Sequence, residues 1–540
     1  MNRIIISLLA LLLLVQVFAL TNGLADEPDF SLAPGVVVTH SPSASGVYLG
    51  SAGIAVLPDG AYLTKCDEFG PGTTEHEFAV SRVYRSDDQG ATWRQTARID
   101  GLFWANVFVH NEAAYLMGTT RHHGLIVIMR SDDGGFTWTE PTDEQHGLLT
   151  PTGEYHTAPM PIIEHEGRLW RAFEDASGGT SWGSRYQAMM MSIPIDADLL
   201  DQSNWTLSNP LPRDASWLNG TFGGWLEGNA VATRDGEILD ILRIATPSGG
   251  KAAVVHVSED GKTVNFDPEN DIIDFPGGSK KFNIRYDEQT DAYWTLANPV
   301  LPKHAGETGV SSIRNTLALM RSDDLRTWEI RCVLLYHPEV RHHGFQYPDW
   351  LFEGDDIIAA IRTAYDDGLD GAHNAHDANF LTFHRFENFR ELTLEDSVID
   401  PSDLEPIPLM KIEASGLTIE GRGFTIKPFD EEAMAFGNRT YVWRDVPESF
   451  RGWTYTQTNG GEFGEMTVTA EESTTLYIAA TQASVDIYLD WEQTEDVFHY
   501  TDQNQTSVQI LRQDVEAGTS VSLPQQFWVG TLLLIPPEKP

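Results

Sequence analysis

The strongest constraint on this chain is a short phrase that it repeats. Ser131-Asp-Asp-Gly-Gly-Phe-Thr-Trp138 has the form Ser-x-Asp-x-Gly-x-Thr-Trp, and Ser86-Asp-Asp-Gln-Gly-Ala-Thr-Trp93 repeats it. Two altered copies follow, Ser258-Glu-Asp-Gly-Lys-Thr263 and Ser322-Asp-Asp-Leu-Arg-Thr-Trp328. A phrase recurring at such intervals marks a repeat architecture, in which each copy belongs to one supersecondary unit. The residue types suit a tight turn. Ser and Asp side chains bond to nearby backbone N–H groups, Gly takes positive φ, and Trp can cover the turn. A β-rich run such as Leu125-Ile-Val-Ile-Met-Arg130 precedes each copy. The phrase is therefore a folding device and carries no chemistry.

A second pattern runs between the copies. Short turn signals join alternating apolar runs that begin near Ile54, Val107, Pro161, Ala230, Ile284 and Trp350, as hairpins require. Six such four-stranded units over residues 45–400 predict an all-β fold, a six-bladed β-propeller. Residues 26–44 form a leader whose Gly35-Val-Val-Val-Thr-His40 run can supply a closing strand. Pro401, Pro406 and Pro408 mark a linker over 401–409. Beyond it the phrase stops, and runs such as Leu417-Thr-Ile-Glu420 and Val485-Asp-Ile-Tyr-Leu489 predict a β-sandwich over 410–540, an ordinary domain size. Trp443, Trp453 and Tyr455 are either part of its core or a platform for sugars.

The first 25 residues have the pattern of a signal peptide. Arg3 precedes the apolar run Ile4–Leu20, and Gly23-Leu24-Ala25 offers a small-residue cleavage site,. Export to the extracellular space or periplasm is expected, without membrane attachment after cleavage. The formal net charge of −43 argues against nucleic acid and anionic membranes as partners,. A solvated acidic surface and a monomer are expected, and any clustering of basic residues becomes informative. The two cysteines, Cys66 and Cys332, fall on distant repeats, so no disulfide is expected. No spacing of His, Cys or carboxylate residues forms a strong metal motif, and no cofactor is expected.

Propeller loops alternate between two faces, and the face away from the repeated turns collects the functional types. It holds Glu75-His-Glu77, Arg121-His122-His123, Tyr155-His156, Glu227, Arg243, Lys280, Lys281, Arg314, Arg341-His-His343, Gln346-Tyr-Pro-Asp349, Arg362, Asp367 and His373–His376. Titratable groups converging on one concave face are the default place for function.

The repeated turns and six units resemble the sialidase superfamily over residues 45–400, and finer features agree. Glu227-Gly-Asn-Ala-Val-Ala-Thr-Arg-Asp-Gly-Glu-Ile-Leu-Asp-Ile-Leu-Arg243 resembles the family segment joining a Glu to an arginine of the carboxylate-binding triad. Arg314, several residues before a turn phrase, resembles another triad arginine. Tyr347 stands where the family has its nucleophile. Two features depart from the family. Tyr48-Leu-Gly-Ser-Ala-Gly53 has no arginine where the family's first triad arginine stands, and Glu75-His-Glu77 occupies the neighbourhood of the acid/base Asp. The resemblance implies an exo-glycosidase releasing a terminal, anionic sugar from a glycan or polysaccharide. Tyr347 would be the nucleophile and Glu227 its base, since a phenol is weakly nucleophilic at its ordinary pKa of about 10. Glu77 would be the acid, with Asp349 second. Arg243 and Arg314 would bind the anion. The histidines of Arg121-His-His and Arg341-His-His lie outside the family pattern, and from their place on the same face Arg121, His122, His123, His156, Gln346, Arg362 and Asp367 are expected to bind substrate.

Two other readings stay open. The histidines could supply the base of a polysaccharide lyase. Or the propeller could bind carbohydrate without turning it over.

Overall fold

Inner-strand sequences such as Ile54-Ala-Val and Ile357-Ile-Ala-Ala-Ile361 are apolar on both faces, because each sheet is packed between two others. The computed structural model describes residues 27–305, 307–406, 409–460, 464–481, 490–523 and 529–538. The proposed signal peptide, the Val485–Leu489 run and part of the 401–409 linker lie outside these. Six successive antiparallel sheets follow one another from Tyr48 to Phe386, and the strand Val36–His40 adds to the outer edge of the sixth. The chain thereby closes a β-propeller with its own leader. Not every sheet has four strands. The second has three, and the third and fourth have five.

The repeated turns lie after the third strand of their sheets, and the first two are built alike. In the first, Gly90 N–H donates to Ser86 Oγ at 2.8 Å, and Thr92 N–H donates to Asp88 Oδ1 at 2.9 Å. The Trp93 indole N–H closes back on the Gly90 carbonyl at 3.1 Å. The second copy repeats these bonds through Ser131, Asp133 and Trp138. The fourth copy is one residue shorter, and Leu325 with φ 62° stands where the others have glycine. The third copy lacks its Trp, and Trp170 of the neighbouring sheet packs against Gly261 instead.

Four inner strands share an irregularity that positions the site. The pairing register slips between Gly50 and Gly53, Phe103 and Asn106, Leu226 and Asn229, and Gln346 and Asp349. Each slip is a β-bulge containing a non-glycine residue at positive φ: Ser51 (50°), Trp104 (53°), Glu227 (57°) and Tyr347 (52°). Such a bulge re-aims one side chain out of the alternating pattern. It costs about 1–3 kcal/mol per residue in backbone strain, so the surroundings must enforce it.

The enforcement is visible two residues further on. Asn106, Asn229 and Asp349 follow the bulges, and Asn283 has the corresponding place in the fifth sheet. Asn229 Oδ1 accepts from Ile284 N–H at 2.9 Å, and its amide donates to the Phe282 carbonyl at 3.1 Å. Asn106 Oδ1 accepts from Arg171 Nε at 3.2 Å. Asp349 accepts from Ile54 N–H at 2.9 Å and from Asn283 Nδ2 at 2.8 Å. These buried polar groups lace neighbouring sheets together, and Asn283 Oδ1 alone among the side-chain atoms of this set has no partner among the described residues,.

Residues from Met410 to Ile535 form a four-stranded and a seven-stranded sheet. Ile419, Met466 and Val468 of one pack with Leu476, Ile478 and Leu511 of the other in one core, which makes a sandwich. Trp443 and Tyr455 are fully buried in a second core with Phe429 and Phe498, and Trp453 packs on its margin. They are structural, and the sugar-platform reading fails for the two buried residues. Cys66 and Cys332 are free and buried.

Candidate active site

The bulges of the fourth and sixth sheets turn Glu227 and Tyr347 toward each other. The Tyr347 hydroxyl donates to Glu227 Oε1 at 2.7 Å. On its other oxygen Glu227 accepts from Arg243 at 2.8 Å. Both sheets use one arrangement. Leu226 and Gln346, each just before its bulge, face Arg243 and Arg362 across the ladder. The bulged residue and a cross-strand arginine therefore come as a pair in each sheet.

Arg314, two residues before the third strand of the fifth sheet, completes the cluster. Its guanidinium carbon lies 5.8 Å from the Tyr347 ring centre, and that of Arg362 lies 5.1 Å away. Arg314 donates to Gln346 Oε1 at 2.6 Å, and Arg362 donates to the His376 carbonyl. The Nε atoms of Arg314 and Arg362 are buried without an acceptor among the described residues. Both groups thus hold donors in reserve. Lys280 is buried beside them. Burial and the charges of Arg314 and Arg243 hold its ammonium well below the usual range. Such crowding of cations in so acidic a chain is what an anion receptor needs.

The electrostatics suit a carboxylate base beside a phenol. Burial pushes Glu227 up, but Arg243, His156 and the Tyr347 hydroxyl bring it below the ordinary carboxylate value. Burial and the Glu227 charge raise Tyr347 above the ordinary phenol, against the pull of Arg243, Arg314 and Arg362. The resting state is a neutral phenol hydrogen-bonded to a carboxylate.

A wall of rings borders the pair. His156 Nδ1 and Glu174 Oε2 are 2.6 Å apart, and Glu174 also accepts from Gly228 N–H inside the fourth-sheet bulge at 3.0 Å. His156 stacks on Tyr186 at 4.2 Å and meets Trp104, the bulge residue of the second sheet, edge-on at 4.4 Å. His123 Nε2 lies 2.9 Å from the Tyr186 hydroxyl. Burial drives His123 to about 2 and His122 to about 3, with help from neighbouring histidines. Trp182 leans on Tyr186 and is 55% exposed, so the wall reaches solvent.

Several expected site residues lie elsewhere. Asp349 laces sheets together, and four donors, from Ile54, Asn283, Arg285 and Trp350, engage its carboxylate. Its oxygens are taken up in bonds between strands. Glu77 is exposed, whereas Glu75, two residues before it, is the buried member of that stretch. Asp367 accepts from Leu369 and Gly371 N–H and faces His40 of the closing strand, so it anchors a loop. Arg121 is exposed and donates to the His76 carbonyl. Gln346 orients Arg314. Trp104, Glu174, Tyr186 and Trp182 were missed. The bulges hid the first. Its only signal was Asn106, a polar residue two places after it in an apolar strand.

No family model matches the chain, and no curated protein matches it. Solved structures do. One is an α-L-arabinofuranosidase of Fusarium graminearum bound to arabinobiose, at 12% identity over 67% of this chain and 99% of that one, TM-score 0.43. A Hadza microbial sialidase matches at 14% identity over 66% of this chain and 69% of its own, TM-score 0.42. An intramolecular trans-sialidase from Ruminococcus gnavus matches at 15% over 68% and 99%, TM-score 0.40. At these scores the likenesses decide nothing about the reaction, and the side chains have to.

Proposed function

We propose that the protein is a retaining glycoside hydrolase that releases a terminal sugar bearing an anionic group. The observation that carries this reading is the buried Tyr347–Glu227 hydrogen bond of 2.7 Å, surrounded by Arg243, Arg314 and Arg362. In the proposed reaction, Arg243, Arg314 and Arg362 hold the anionic group. Glu227 takes the phenolic proton as Tyr347 oxygen bonds to the anomeric carbon. The glycosidic C–O bond breaks, and its electron pair leaves with the aglycone oxygen. His156, held by Glu174 and close enough to Glu227 to lower its pKa, is the candidate donor of the proton that this oxygen needs. Water then attacks the anomeric carbon and gives its proton to His156, which the first step left without one, while the bond to Tyr347 oxygen breaks and Glu227 returns the phenolic proton to that oxygen. A tyrosine nucleophile is a known exception to the paired-carboxylate scheme. Export by the N-terminal segment would bring the enzyme to its glycan.

A lyase built on His156 is the second reading, favoured by the His156–Glu174 pair. Trapping separates the two. A fluorinated analogue of a confirmed substrate should leave a covalent sugar on Tyr347, detected by peptide mass. If turnover is robust, no adduct forms and an unsaturated sugar accumulates, the lyase reading replaces the hydrolase.

A further inference from the structure

We propose that Glu75, His76 and His122 bind one divalent transition-metal ion of the zinc class at the rim of the propeller. Glu75 and His76 stand on the loop after the strand Tyr62–Phe69, and His122 on the loop after Ala113–Thr119. One ligand atom from each of the three lies within 4.8 Å of the other two. Zinc–ligand bonds of roughly 2.0–2.2 Å put tetrahedral donors about 3.3 Å apart, so closing on an ion takes a small side-chain swing. The backbone already provides the clamp. His122 N–H donates to the Glu75 carbonyl at 2.8 Å, and Arg121 donates to the His76 carbonyl at 3.3 Å. The buried Glu75 is fixed, while His76, with its side chain 70% exposed, is free to turn.

The donor set selects the metal. Two imidazoles and one carboxylate are poor ligands for calcium or magnesium, which take oxygen, and good ones for zinc and its neighbours. The His76 and His122 rings stack with centres 4.3 Å apart. Two protonated imidazoles would repel at that distance, whereas two neutral ones present nitrogen donors to a shared cation. No hydrogen bond engages a His122 ring nitrogen among the described residues. The ion would tie together two loops of neighbouring sheets. It would also fix the His122 ring, which packs on Trp104 at 4.7 Å. This inference is independent of the glycosidase reading.

The test uses the full-length protein, stripped with chelator, given zinc and desalted. One retained zinc per chain is expected by elemental analysis. His76→Ala should weaken binding at least tenfold, since loss of an outer-shell partner alone costs about 10–100-fold, and His76 is exposed enough for the fold to survive. Glu75→Gln should do the same. Cobalt(II) in the unaltered protein should give an intense visible band of low coordination number, which needs no variant. Failure to retain zinc, absence of that band at saturating cobalt, or unchanged zinc affinity in His76→Ala would each overturn the proposal.

Discussion

Tyr347 and Glu227 act as one unit, because neither is useful without the other's proton. Tyr347→Phe removes the attacking oxygen, and kcat should fall by roughly three orders of magnitude or more. Glu227→Gln should cost nearly as much, and the double variant little more, as coupled residues give non-additive losses. Steady-state kinetics on one confirmed substrate checks all three. Arg243→Lys tests the anion site differently, since Lys keeps the charge but loses the planar fork. Its main effect should be a higher KM. His156→Ala should slow substrates with poor leaving groups far more than activated aryl glycosides, whose oxygen leaves without a proton. Equal losses on both would remove His156 from the acid role. The pH dependence follows from Glu227, whose folded pKa lies below its ordinary value of 4.5. The charged form is needed, so activity persists below pH 4.5 and fades as pH falls through the lowered folded pKa, whereas this group's share of stability is full above pH 4.5 and is lost as pH falls from there through the folded value,. An acid limb of kcat/KM centred above pH 5 would contradict that. At this scale the sequence was legible where chemistry is local. Glu227, Tyr347, Arg243 and Arg314 could be placed from the resemblance of their segments to a known family, and the structure brings them together. Asp349 could not, because its carboxylate is consumed by donors from two other sheets, and no spacing along the chain reveals them.

At the level of elements, the repeated turn was legible because its bonds are all short-range. The bulges were not. An extra residue in a strand that is apolar on both faces leaves no break in an alternating pattern, and its positive φ falls on Ser, Trp, Glu and Tyr instead of Gly. The turn itself gives a test in which two strained positions respond with opposite sign. Gln89 (φ 58°) is exposed, and the second copy has Gly134 there. Relief of left-handed strain, about 1–2 kcal/mol, outweighs the entropy cost of glycine, about 0.5–1 kcal/mol. Gln89→Gly should be neutral or stabilise by up to about 1 kcal/mol. Leu325 (φ 62°) is buried among Phe275, Met320 and Trp328. Losing that side chain costs about 2–5 kcal/mol, more than the strain returns, so Leu325→Gly should lower the unfolding midpoint in urea. A stabilised Leu325→Gly would mean that backbone strain, not packing, dominates the turn.

The whole molecule sets a tension between its surface and its site. The chain carries 79 acidic and 36 basic residues, yet its candidate centre gathers Arg243, Arg314 and Arg362. An anionic glycan must approach through a repulsive field before it meets an attractive pocket. The two fields have different reach. Surface charges act over tens of ångströms only when salt is scarce, because the screening length is about 10 Å at 0.1 M and about 30 Å at 0.01 M. The arginines are buried, act by direct hydrogen bonds, and are screened much less. Raising the salt from about 0.01 to about 0.2 M should therefore remove more repulsion than attraction. kcat/KM for an anionic substrate should rise several-fold, as steering effects of this kind span about 10–10³ in association rate. KM should carry the change, with kcat nearly constant, since chemistry in the closed site does not feel the solvent ions. An uncharged aryl glycoside is the control, and its kcat/KM should stay flat, which also excludes a simple gain in folded protein. If the anionic substrate instead slows as salt is added, the arginine cluster must project its field into solvent. The site would then be an open basic surface, and the assignment of Arg243, Arg314 and Arg362 to short-range binding of one terminal sugar would have to be given up.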